Sequence, residues 1–95
     1  MEMLESKKTK ILIVDDHTIV RHGLCKSFSM ENDFTIAAET DSGRSAIELA
    51  SWYHPDIVLM DIAMPDLNGI EATRQILANN SNIKVIALTM HAEYI

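Results

Sequence analysis

Three carboxylates and one hydroxyl stand out for where they fall. Asp15 and Asp16 follow the apolar run Ile11-Leu12-Ile13-Val14, Asp61 follows Ile57-Val58-Leu59-Met60, and Thr89 closes Val85-Ile86-Ala87-Leu88. An apolar run that ends on a carboxylate brings charge to the edge of a core, which is costly unless the charge has a task. Three such carboxylates on one rim would repel one another unless a cation sat among them. A hard divalent ion meets that need, and Mg²⁺ is typically held by one or two carboxylates, waters and a phosphate oxygen. With the ion in place, Asp61 could meet a phosphoryl group without charge repulsion and act as its nucleophile, forming an aspartyl phosphate. The Thr89 hydroxyl would then reach a phosphoryl oxygen and report its presence.

These residues need a scaffold that gathers them. ILIV (11–14) and IVLM (57–60) are continuous apolar runs, the pattern of strands covered on both faces. FTIAAET (34–40) and VIALT (85–89) are the other two strands. Between them lie three helical patterns. Val20, Leu24 and Phe28 recur at i, i+4 and i+8 with Ile19 beside them, and Gly23 costs that helix roughly 1 kcal/mol relative to Ala. Asp41-Ser42-Gly43 turns into a second helix with Ala46, Leu49 and Ala50 on its apolar face and Pro55 marking its end. Ile70, Thr73, Ile76 and Leu77 form the third, stopped by Asn79-Asn80-Ser81-Asn82, and His91–Ile95 begins another. Alternating strands and helices predict an α/β parallel sheet with right-handed crossovers. In such a sheet functional groups collect at the carboxyl ends of the strands, around a topological switch point.

The 95-residue length suits one domain, here 10–95, behind a flexible polar arm over residues 1–9. A net charge of −6 argues against a general nucleic-acid surface, which would need clustered Lys and Arg. The lone Cys25 builds no disulfide framework, which points to a reducing compartment, the cytoplasm. No signal-peptide h-region precedes Lys10, and the apolar runs are too short to span a membrane.

In this order and spacing, ILIVDDH, VLMDIAMPDLNG (58–69) and VIALTM resemble the receiver domain of two-component response regulators, over residues 10–95. DDHTIVRHGL and LTMH look most like regulators that carry a LuxR-type helix-turn-helix output domain. The resemblance implies a flavodoxin-like, doubly wound parallel sheet of strand order 2-1-3-4. It implies that Asp61 accepts a phosphoryl group from a histidine kinase. Asp16 would ligate Mg²⁺ directly, Asp15 mainly through water, and the main-chain carbonyl of Ala63 would add a ligand. DNA would be reached only through an output domain outside these residues. A complete receiver also continues into a fifth strand, bearing a Lys and an aromatic residue, and a fifth helix. The chain stops at Ile95, about 25 residues short of that by ordinary element lengths. None of Lys7, Lys8, Lys10, Lys26 or Lys84 has the expected Lys position. Without a fifth strand, VIALT is an apolar edge with only Lys84 as gatekeeper, so self-association is expected there.

Rival readings can be weighed on single residues. A haloacid-dehalogenase-type phosphatase needs a second acid two residues after its nucleophile, where this chain has Ala63. A flavin-binding fold-mate would have its phosphate repelled by Asp15-Asp16, and neither G-x-G-x-x-G nor a P-loop occurs. An interaction module that works without phosphorylation stays open. More ordinary roles also exist: Asp15 or Asp16 as a helix N-cap, and Thr89 as a plain strand residue. Turn chemistry explains Asp66, Asn68 and Gly69, the last by taking positive φ. His17, His22, His54 and His91 read as surface or loop residues, Cys25 as a partly buried helix residue, and Trp52 and Tyr53 as cover for the base of the second helix.

Overall fold

In a computed structural model, residues 7–64 and 68–88 are described; they form four strands and three helices. In chain order these are β1 (Thr9–Val14), α1 (Thr18–Ser29), β2 (Phe34–Thr40), α2 (Gly43–Tyr53), β3 (Ile57–Asp61), α3 (Gly69–Asn79) and β4 (Lys84–Leu88). The strands pair in parallel in the order β2-β1-β3-β4, the flavodoxin-like arrangement expected from sequence. β1 takes in Thr9, whose N–H donates to the Asp33 carbonyl at 2.9 Å.

From β1 the chain steps outward to β2, then returns across β1 to β3 and β4. Because crossovers are right-handed, this reversal of direction puts α1 on one face and the other two helices on the opposite face. Side chains of β1 alternate accordingly. Leu12 and Val14 join Val58, Met60, Ala46, Ala50, Ala72 and Ile76 under α2 and α3. Ile11, Ile13 and Leu59 face α1, with partly buried Leu24, Cys25 and Phe28.

The alternation slips once. Ile11 pairs with Ile36 but Leu12 pairs with Ala38, so Ala37 is an extra residue in β2. Phe34 and Ile36 therefore face α1, while Ala38 packs with the α2/α3 core. A strict period of two would have put all three on one side.

Helix termini follow local chemistry. The Ser42 hydroxyl accepts from the Ser45 N–H, and the Asn68 side chain accepts from the Glu71 N–H, capping α2 and α3. His54 ends α2 in the left-handed region with φ 49°, one residue before Pro55.

Four packing expectations do not hold. Ile19 lies almost wholly in solvent, and Ile70 is mostly exposed, because each sits about 100° around its helix from the packed stripe. Ala72 fills the position on α3 given from sequence to Thr73 and Leu77: it is fully buried, and Leu77 stands at the margin. A small residue there lets the helix approach β3 closely. Trp52 is 71% exposed and leaves the base of α2 uncovered.

Candidate metal and phosphoryl site

The carboxyl ends of β1 and β3 lie side by side at the point where the chain reverses direction, since β1 pairs with β2 on one side and β3 on the other. This switch point is a natural crevice. Asp15 follows β1 directly and is fully buried; Asp61 is the last residue of β3 and is 1% exposed. The main chain locks both. The Asp15 N–H donates to the Thr40 carbonyl at 3.1 Å, and the Asp15 carbonyl accepts from Arg21 Nη1 at 2.7 Å. The Ile62 N–H donates to the Leu88 carbonyl at 3.3 Å, which ties the end of β3 to the end of β4.

Each buried carboxylate is divided in its bonding. Asp15 Oδ1 accepts from the His17 N–H at 2.7 Å, and Asp61 Oδ1 accepts from the Ala63 N–H at 3.0 Å. Asp15 Oδ2, Asp61 Oδ2 and Asp16 Oδ1 are buried with no hydrogen-bond partner. Buried, unpaired carboxylate oxygens are expensive. The three residues and His17 can each turn one donor atom inward, with all four atoms within 4.8 Å of one another. The donor set and its orphaned oxygens fit a hard divalent cation.

The helix-cap reading of Asp15 and Asp16 does not hold. The residue at the start of α1 is His17, which makes no side-chain cap, and the Asp15 carboxylate bonds back to the His17 N–H. His17 itself is the first residue that sequence reasoning missed. Its Nδ1 lies 2.9 Å from Asp15 Oδ1, 3.2 Å from Asp16 Oδ1 and 3.5 Å from Asp61 Oδ2. The hydrogen bond to Asp15, then the charges of Asp15 and Asp16, hold the imidazole above its ordinary pKa. The available signal was adjacency: a histidine directly after an acidic pair lies within one turn of whatever that pair binds.

Arg21 is the second. Its Nε donates to Glu39 Oε1 at 2.9 Å while its Nη1 holds the Asp15 carbonyl, so one guanidinium joins α1, β1 and β2. Gly69 is the third, and it corrects an expectation. No described glycine has positive φ. A Cβ on Gly69 would instead fall 2.3 Å from the Asp61 carbonyl oxygen and 2.5 Å from Ile62 Cα. The glycine is required by the close approach of α3 to the end of β3.

Cys25 lies partly buried, as expected, and burial, followed by the Glu39 charge, pushes its thiol up to about 11. Thr89 lies outside the described residues; its predecessor Leu88 is the register partner of Asp61. Lys10 and Lys84 begin or flank the amino ends of β1 and β4, away from the acidic rim, and Lys10 Nζ donates to the Tyr53 carbonyl at 2.9 Å.

Residues 11–95 match the family described as the response regulator receiver domain. The chain belongs to that family. The receiver is 40% identical over 90 residues to the transcriptional regulatory protein DegU of Brevibacillus brevis, a match that covers 95% of this chain and 38% of DegU. Among solved structures it superposes on a two-component response regulator of the LuxR family from Aurantimonas sp. SI85-9A1. The TM-score is 0.83 at 35% identity, over 90% of the receiver and 61% of that chain. It also resembles a chain of the CheX–CheY–BeF₃–Mg²⁺ complex from Borrelia burgdorferi, with TM-score 0.80 and 30% identity over 85% of this chain and 61% of that one. The receiver spans about two fifths of the length of the curated relatives it matches. Among the described residues no helix is long and apolar enough to cross a membrane.

Proposed function

We propose that this receiver is the phosphoacceptor switch of a two-component pathway, with Asp61 taking a phosphoryl group from a histidine kinase. One observation carries the reading: Asp61 has one oxygen anchored by Ala63 and the other buried, without a hydrogen bond and among acidic neighbours. A carboxylate held this way is a positioned nucleophile. Asp61 Oδ2 attacks phosphorus, the O–P bond forms, the N–P bond to the kinase histidine breaks, and the electron pair returns to that imidazole. Asp15, Asp16, Asp61 and the Ala63 carbonyl would hold Mg²⁺, which would supply the positive charge that lets an anionic phosphoryl group approach carboxylates. Thr89 follows the register partner of Asp61, and its hydroxyl is assigned to a phosphoryl oxygen. Arg21 and Gly69 act as positioning residues: Arg21 holds the Asp15 carbonyl, and the Gly69 N–H donates to the carbonyl of Ile62, the residue after Asp61. The pathway is cytoplasmic, and its output is transcriptional, through a DNA-binding part of the whole protein.

Acetyl phosphate with Mg²⁺ should add one base- and hydroxylamine-labile phosphoryl group, and Asp61→Asn should abolish it. Labelling that persists in the variant would overturn the assignment. The alternative is an interaction module that works without phosphorylation. It predicts no labelling and no beryllofluoride binding in the presence of Mg²⁺.

A second copy of the chain is the other proposed partner. Among the described residues β4 pairs on one side only, and Ile86 on it is half exposed. An open apolar edge is a template for strand addition. Sedimentation at rising concentration should show a growing mass; a constant monomer mass would remove this partner.

A further inference from the structure

We infer that the cavity between the carboxyl ends of α2 and α3 is a second binding site, for a small ring compound that carries a protonated amine. It lies at the amino end of the sheet, opposite the acidic rim, and is independent of the reading of that rim. The residues around it fall between Ile47 and Ile83, so strands and helices described above build it entirely.

Size and lining define the ring. The cavity measures about 140 Å³, close to the roughly 150 Å³ apolar cavity that holds benzene in another protein. Its inner wall is apolar and buried: Ala50 from α2, Ile76 from α3 and Ile83 from the turn before β4. The small Ala50 leaves the space that a larger side chain would fill. Its outer wall is polar and exposed, with Ser51 and His54 on one side and Asn79 on the other. His54 takes φ 49° at a cap where glycine is usual, and so sets an imidazole on the mouth of the cavity. An apolar interior with a few polar groups at its entrance is the pattern of a small-molecule site.

The helix ends define the head group. The His54 N–H donates to the Ala50 carbonyl at 3.1 Å, but Pro55 has no N–H and the Asp56 N–H donates to the Lys10 carbonyl. The Ser51 and Trp52 carbonyls are therefore left without a helical donor. Two helix carboxyl ends meet at the cavity, each with the partial negative charge of its dipole. Neither α2 nor α3 has a basic residue in its last turn, whereas α1 has Lys26 there. Lys10 Nζ is engaged by the Tyr53 carbonyl. Lys84 points to the other face of the sheet, because its neighbours Ile83 and Val85 pack toward α2 and α3. A positively charged hydrogen-bond donor complements this mouth, and a carboxylate does not.

The test titrates the full chain with benzylamine, benzyl alcohol and benzoate, which share a ring and differ in the head, and follows the amide signals by NMR. Benzylamine should shift the signals of Ser51, His54, Asn79 and Ile83 with a dissociation constant of about 1 mM. It should bind about threefold tighter than the alcohol, and benzoate should bind weakest. Two substitutions at exposed helix positions separate ring from head. Ser51→Phe places a side chain across the cavity and should weaken benzylamine and benzyl alcohol alike, by about tenfold or more. Asn79→Lys supplies the missing cation to α3 and should erase the preference for the amine while the alcohol still binds. Absence of shifts at these residues with all three compounds overturns the inference. So does benzoate binding as tightly as benzylamine, or binding that Ser51→Phe leaves unchanged.

Discussion

The two faces of the sheet are built to different standards. Under α2 and α3, strand residues Leu12, Val14, Val58 and Met60 meet Ala46, Ala50, Ala72 and Ile76, all of them buried. Under α1, only Ile11, Ile13 and Leu59 are buried, and α1 contributes no buried residue of its own. Small residues on α2 and α3 let those helices approach the strands closely, whereas α1 lies over its face through larger, half-covered side chains. The acidic rim draws on both faces: Asp61 is backed by Gly69 of α3, while Asp15 is held by Arg21 of α1. The acidic rim therefore has one tightly packed wall and one adjustable wall.

Core truncation should break the comparison most visibly. Ile76→Ala removes a side chain that is 1% exposed and should cost about 2–5 kcal/mol in urea unfolding. Leu24→Ala on the α1 face should cost roughly 1 kcal/mol, since that side chain is only partly covered. Equal losses would show that the α1 face is as closed as the other.

Two glycines sharpen the same contrast with smaller effects of opposite sign. Gly69→Ala pushes a methyl into the Asp61–Ile62 backbone and should cost about 1–3 kcal/mol. It should also weaken metal binding, because α3 can yield only by shifting the end of β3. Gly23 on α1 has nothing within 4 Å of the place a Cβ would take. Gly23→Ala should therefore stabilise by about 0.5–1 kcal/mol through helix propensity alone. Destabilisation at position 23 would mean that α1 is packed more closely than its exposure indicates.

Much of this architecture was legible in the residues. The apolar runs marked all four strands, and the acidic residues at two of their ends marked the rim, because charge at the end of a buried strand is costly unless it has a task. Helix faces were read less well. Ile19, Ile70 and Leu77 are apolar yet turned outward, and Ala72, which carries little hydrophobic signal, takes the buried position. Periodicity weights size, whereas close packing against a sheet selects smallness. The histidine at 17 was missed for another reason. Its role depends on the distance from β1 to β3, which only the strand pairing supplies. The same holds for Gly69, whose constraint is a backbone 7 and 8 residues away in sequence, at Ile62 and Asp61.

The extra residue in β2 has a consequence for how this sequence can tolerate insertions and deletions. Beyond Ala37 the strand has exchanged sides, so Glu39 stands opposite Ile13 and on the side of α1, where Arg21 reaches it. Deleting Ala37 would remove the extra residue and leave Ala38, Glu39 and Thr40 opposite Leu12, Ile13 and Val14 as they are, whereas straightening β2 at its full length would hand them to the wrong neighbours. Thr40 would then face α1 in place of Glu39, and Arg21 would lose its carboxylate partner. The Asp15 carbonyl would be left with an anchor that is itself unanchored. Losing the slip in β2, and not losing a residue there, would thus be felt at the acidic rim.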